Sequence, residues 1–117
     1  MLDTAEEATA KSAASCLFRG LADPSRLAIL ELLASQERRV VDVTKHLGLA
    51  QSTVSTHLAC LRDCGLVSSR SEGRATVYSL TEPNLTRAVL AAADGLLQAT
   101  GEAVSSCVNF GTRSTNP

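Results

Sequence analysis

The chain has 117 residues, 44% of them hydrophobic and 20% charged, enough for one globular domain with a modest core and too apolar for a disordered segment. Aromatics make up only 3% and Trp is absent, so the core must lean on Leu, Val and Ala, and a second subunit would help to bury it. A formal net charge of −1 gives no global sign of nucleic-acid binding, and any basic surface has to come from local arrangement.

The opening segment MLDTAEEATAKSAAS is Ala-rich and holds no apolar run long enough for a signal peptide or a membrane span. This predicts a cytoplasmic protein without membrane contact, in which Cys16, Cys60, Cys64 and Cys107 are thiols and not disulfides. Residues 2–20 carry a helical pattern. Asp23-Pro24 then marks a new start, because Asp suits the N-cap and Pro the first helical position. Leu27, Leu30, Leu33 and Ala34 share one face of that second helix, which Ile29 and Leu32 widen until most of it should be buried.

VVDVTKHLGLAQSTVSTHLACLRDCG reads as two helices joined at Gly48-Leu49-Ala50, the short turn of a helix-turn-helix. Two extended runs, 66–70 and 76–80, flank a Ser71-Glu72-Gly73 turn and predict a β-hairpin. A final helix is expected from about Asn84 through Leu97, and a polar tail follows over 105–117 with Cys107 in it. The expected fold is mainly α with a β-hairpin wing: a winged helix-turn-helix, homodimeric, with the DNA-binding and dimerisation domain over 1–104.

On the second helix of the motif, Val54, Leu58 and Leu61 recur at core spacing, which exposes Gln51, Ser52, Ser55 and Thr56. Short hydrogen-bonding side chains of this kind reach base edges and phosphates in a major groove, and the Gln51 amide can pair with adenine in two places. Arg62, Arg70 and Arg74 add local positive charge for phosphates. No nucleophile–base–acid set or phosphate loop is present, so no enzyme activity is expected.

Thr53, His57, Cys60 and Cys64 follow one another at steps of four, three and four, a stripe beside the core stripe. Side chains at i and i+4 lie about 5–6 Å apart at Cβ, close enough for both sulfurs to reach one ion. The alternative is that both are small buried hydrophobes. Nucleophilic thiols are disfavoured, because the negative end of a helix dipole opposes the thiolate.

The segments LADPSRLAILELL, LGLAQSTVSTHLACLRDCGLV and SEGRATVYSL together resemble the ArsR/SmtB family of bacterial metal-responsive repressors, over roughly residues 16–100. The resemblance implies a homodimer that binds double-stranded operator DNA without metal and releases it when metal binds. Subgroups with a Cys-Val-Cys on the helix before the recognition helix do not fit, since VVDV stands there, and those with a His shortly after Asp94 do not fit either. The CmtR-type cadmium and lead sensors, with two cysteines on the recognition helix and a third in the tail, match at Cys60, Cys64 and Cys107.

Three thiolates form a soft site, which favours Cd(II) and Pb(II), with As(III) chemically close and Zn(II) less suited for want of a fourth ligand. His57 falls in the family's recurring V-S-x-H-L pattern and is expected to be structural, and His46 is expected to be a surface or packing residue. Cys16 departs from the scheme and is expected as a core thiol of the first helix, an extra ligand or an arsenite-type site being its alternatives. A thiol redox switch and a winged-helix interaction module without DNA are the rival functions.

Overall fold

A computed structural model of the protein describes residues 4–109 and 111. Its elements are α1 (Thr4–Leu21), α2 (Pro24–Ser35), β1 (Arg38–Arg39), α3 (Val40–Leu47), α4 (Gln51–Asp63), β2 (Val67–Glu72), β3 (Ala75–Leu80) and α5 (Pro83–Ala99), then a 3-10 turn at Ala103–Ser106. Positions 2 and 3 of the expected first helix lie outside the described residues, as do positions 110 and 112–117 of the tail. The described residues form two compact units divided between Pro83 and Asn84.

The first unit holds the helix-turn-helix and the sheet. Asp23 caps α2 as expected: its Oδ2 accepts from the Arg26 N–H at 3.0 Å, and Pro24 follows in the first turn. That hydrogen bond, ahead of other influences, holds the Asp23 carboxyl below its ordinary range. Arg26 in turn donates through Nε to the Gly20 carbonyl at 2.5 Å and through Nη2 to that of Arg19 at 3.3 Å. It thereby satisfies the Gly20 carbonyl at the end of α1, shares the Arg19 carbonyl with the Ala22 N–H, and ties α1 to α2.

The core gathers Ile29, Leu30 and Leu33 of α2, Val43 of α3, Val54, Leu58 and Leu61 of α4, and Val67, Val77, Tyr78 and Leu80 of the sheet. Leu27, Leu32 and Ala34 are half-buried, so α2 is less completely enclosed than its all-round apolar pattern predicts. Gly48 ends α3 at φ 66°, a left-handed conformation that glycine adopts without cost, and its N–H returns to the Thr44 carbonyl at 2.9 Å. Leu49 and Ala50 complete the expected turn into α4.

The sheet has the order β1-β3-β2, all antiparallel. Its hairpin is longer than expected. Glu72 pairs with Ala75, so the turn is Gly73-Arg74 and not Ser71-Glu72-Gly73, with Gly73 at φ 64° in the first central position where a two-residue hairpin turn needs positive φ. Arg38 and Arg39 pair with Tyr78 and Val77, a two-residue strand too short and too charged to show in the sequence.

The second unit contains α5 and the 3-10 turn. Among the described residues α5 has none that is buried, and Leu85 and Leu96 are each 66% exposed. Ala93, Leu96, Leu97, Thr100, Ala103 and Val104 line an apolar groove of about 430 Å³. Beyond it, the Cys107 N–H donates to the Val104 carbonyl at 3.1 Å, and the Cys107 carbonyl accepts from the Gly111 N–H at 2.7 Å. A Cβ at Gly111 would stand 2.5 Å from that carbonyl, so only glycine closes this turn around Cys107.

Candidate nucleic-acid interface and thiol site

Gln51, Ser52, Ser55 and Thr56 are all exposed on α4, as the periodicity of Val54, Leu58 and Leu61 requires. Thr56 Oγ1 donates back to the Ser52 carbonyl at 2.9 Å, which leaves its oxygen lone pairs available for an incoming donor. Ala50 provides no side-chain cap, so the first N–H groups of α4 stay open beside Gln51. Arg62 is exposed in the last turn, about 16 Å along the axis from Gln51 at 1.5 Å per residue.

The wing arginines differ. Arg70 on β2 makes a bidentate pair with Glu37, Nη1 to Oε2 at 2.6 Å and Nη2 to Oε1 at 2.7 Å, and Nη2 also meets Glu72 at 3.0 Å. These partners hold the Glu37 carboxyl below its usual range and push the guanidinium higher still. Arg74 occupies the hairpin turn and shares a cleft of about 310 Å³ with Arg39, Val40, Val41, Gln51, Ala75 and Thr76. Arg39 was not singled out from the sequence; the Arg-Arg step just before the apolar start of α3 was the available signal.

Cys60 and Cys64 are both exposed, one in the last turns of α4 and the other at its C-cap. They stand one helical turn apart, four positions along α4. Desolvation first, and the neighbouring Cys60 second, push the Cys64 thiol up, the wrong direction for a nucleophile. Among the described residues no third His, Cys, Asp or Glu completes a metal-binding group with them. Two exposed soft donors one helical turn apart are chemically suited to a thiophilic ion.

Cys16 is exposed, which corrects the expectation of a core thiol: α1 buries none of its residues among those described, and Phe18 beside it is 62% exposed. It lines a groove of about 280 Å³ with Ala13, Leu17, Gly20, Leu66 and Cys64. His57 is half-buried with Nε2 3.9 Å from Asp23 Oδ2, so it bridges α4 to the cap of α2, in keeping with a structural role. His46 is exposed, its Nδ1 3.2 Å from the Asp42 carbonyl. Cys107 is half-buried within the closed turn of the second unit.

Residues 23–69, the span from the cap of α2 to the first residues of β2, match the model of the bacterial regulatory protein arsR family. The HTH-type transcriptional regulator CmtR of Mycobacterium tuberculosis is 46% identical over 79 residues, 68% of this chain and 67% of that one. The chain belongs to the arsR family. A "Probable mercury resistance operon repressor" of Streptomyces lividans is 43% identical over 75 residues, 64% of this chain and 60% of the repressor, so the chain spans three fifths of that relative's length. A solution structure of a homodimeric winged helix-turn-helix DNA-binding domain from Mycobacterium bovis superposes with a TM-score of 0.72 at 30% identity, covering 83% of this chain and 93% of that one.

The winged helix-turn-helix architecture is thereby established for this arsR-family member, whose relatives are transcriptional regulators and not enzymes. No described helix is long and apolar enough to cross a membrane.

Proposed function

We propose that this arsR-family chain is a cytoplasmic metal-responsive repressor, a homodimer that holds operator DNA when metal-free and releases it on binding Cd(II) or Pb(II). The observation that carries the reading is the thiol pair Cys60 and Cys64 on α4, the helix that also presents Gln51, Ser52, Ser55 and Thr56 to solvent. Gln51 reads a base, and Ser52, Ser55, Thr56 and Arg62 hold the helix in the groove. Of the wing arginines, Arg74 is free to meet phosphate, while Arg70 spends its charge on Glu37 and Glu72.

The exposed apolar face of α5 and its groove support dimerisation, since a second copy would cover them. The partner subunit's Cys107 supplies the third thiolate. A soft cation, once bound, contributes the positive charge that lets all three thiols lose their protons. The chain's part is to couple that site to α4. In a symmetric dimer the two recognition helices must enter major grooves about 34–36 Å apart, and a tether from the tail to the end of α4 changes their tilt. Linkage then requires DNA to weaken metal binding by the same factor.

The shared groove of Cys16 and Cys64 supports a second reading, in which Cys16 joins an As(III) site or the two thiols respond to oxidant. A Cys16→Ser variant separates the readings, keeping the Cd(II) response under the first and losing it under the second, and mixed dimers with Cys16→Ser in both chains then locate Cys107. A Cys107→Ser chain paired with a Cys60→Ser/Cys64→Ser chain keeps one complete three-sulfur set only if the site is shared between subunits. Thiolate-to-metal absorption in the ultraviolet should therefore persist at half the wild-type amplitude. Its loss would place each site within one chain.

A further inference from the structure

The cleft between β1, α4 and the wing is lined by none of the cysteines, and both of its charged side chains are cationic. Two guanidinium side chains, Arg39 and Arg74, line the same space of about 310 Å³, and no acidic residue lines it. Neither arginine has an ion pair or side-chain hydrogen bond among the described residues. The contrast with Arg70 is sharp, because that side chain has two carboxylate partners within 3.0 Å. Two like charges brought together without a counter-ion repel each other, and an anion between them removes the repulsion while gaining charge-assisted hydrogen bonds.

The position of the cleft identifies the anion. Gln51, the first residue of α4, forms part of its wall, so whatever fills the cleft stands beside the side chain assigned to base reading. The other walls are Val40, Val41 and Thr76, which offer little to a large polar ligand. We propose that Arg39 and Arg74 together clamp one backbone phosphate of bound DNA, next to the base contacted by Gln51, and that Arg70 takes no phosphate. The inference rests on the repressor reading above and adds a residue, Arg39, that fixes the register of α4 in the groove. The wing is thereby anchored to the same strand position as the recognition helix, through Arg74.

The test uses the full-length metal-free protein and a duplex that it selects from a random-sequence library. Copies of that duplex, each with one phosphate replaced by an uncharged methylphosphonate, are titrated with wild type, Arg39→Ala, Arg39→Lys, Arg74→Ala and Arg70→Ala. Wild type should lose roughly tenfold in affinity at one particular linkage, as expected for a charge-assisted contact. At that linkage Arg39→Ala and Arg74→Ala should each lose clearly less than wild type, because only one guanidinium remains on the phosphate, while Arg39→Lys and Arg70→Ala should keep the full sensitivity.

On unmodified duplex, Arg39→Ala should lower the slope of log affinity against log salt by about 1. Inorganic phosphate at the same ionic strength as chloride should compete no better than chloride, because a free ion lacks the anchoring of the duplex; selective competition would make the cleft a site for free phosphate and overturn the DNA assignment. An unchanged salt slope in Arg39→Ala, or the absence of any linkage where both alanine variants lose sensitivity, would equally overturn it. A protein that selects no duplex would end the repressor reading, and this one with it.

Discussion

Cys64→Ser should yield a repressor that binds operator as tightly as wild type and does not let go when Cd(II) is added. Serine keeps the size and hydrogen-bonding capacity of the side chain at the α4 C-cap, so the partner thiol Cys60 and the reading face at the other end of the helix are undisturbed. What is lost is the soft thiolate, since an alcohol does not ionise for a thiophilic ion in the same way. In wild type, metal should weaken operator binding by about 5–150-fold, the usual range of coupling between two sites. In Cys64→Ser and in Cys60→Ser that ratio should fall to about 1, as one donor cannot replace two. Anisotropy of a labelled duplex, with and without metal, measures it; a retained ratio in both variants would remove the pair from the site.

The second large effect concerns stability. Leu58 is fully buried on α4, in the core that also contains Ile29, Val43 and Val54. Leu58→Ala should cost about 2–5 kcal/mol, combining lost burial with the cavity left behind. That is a large share of the ~5–15 kcal/mol that a domain of this kind commands. The urea midpoint at fixed protein concentration should fall accordingly, while Ser55→Ala, exposed on the same helix, should leave it nearly unchanged. A Leu58→Ala midpoint equal to wild type would contradict the packing of α4 against α2 and α3.

The features that could be read from the sequence are those with local causes. Asp23-Pro24 and Gly48 mark helix ends through capping and left-handed geometry, and both stand where expected. The i, i+4 spacing of Cys60 and Cys64 is a helical constant, and both thiols are exposed at the same end of α4. The hairpin turn starts two residues later than expected because β2, VSSRSE, buries only Val67 and shows no alternation to mark its end.

Other features depend on distant parts of the chain. Arg70 looks like any exposed arginine until Glu37, thirty-three positions earlier, is brought against it. Cys16 shares a groove with Cys64 only because α1 is held by Arg26, and Arg39 faces Arg74 only because β1 joins the sheet beside β3. None of these pairings has a periodicity or motif that could announce it.

A thiol site on the recognition helix that controls operator binding should make metal uptake and duplex release a single event, which one titration can follow. Reduced metal-free protein bound to fluorescent operator duplex is titrated with Cd(II) while duplex anisotropy and ultraviolet thiolate-to-metal absorption are recorded together. Absorption should rise and anisotropy fall over the same equivalents of metal. A rise in absorption with the duplex still bound, or release of the duplex without thiolate absorption, would contradict it.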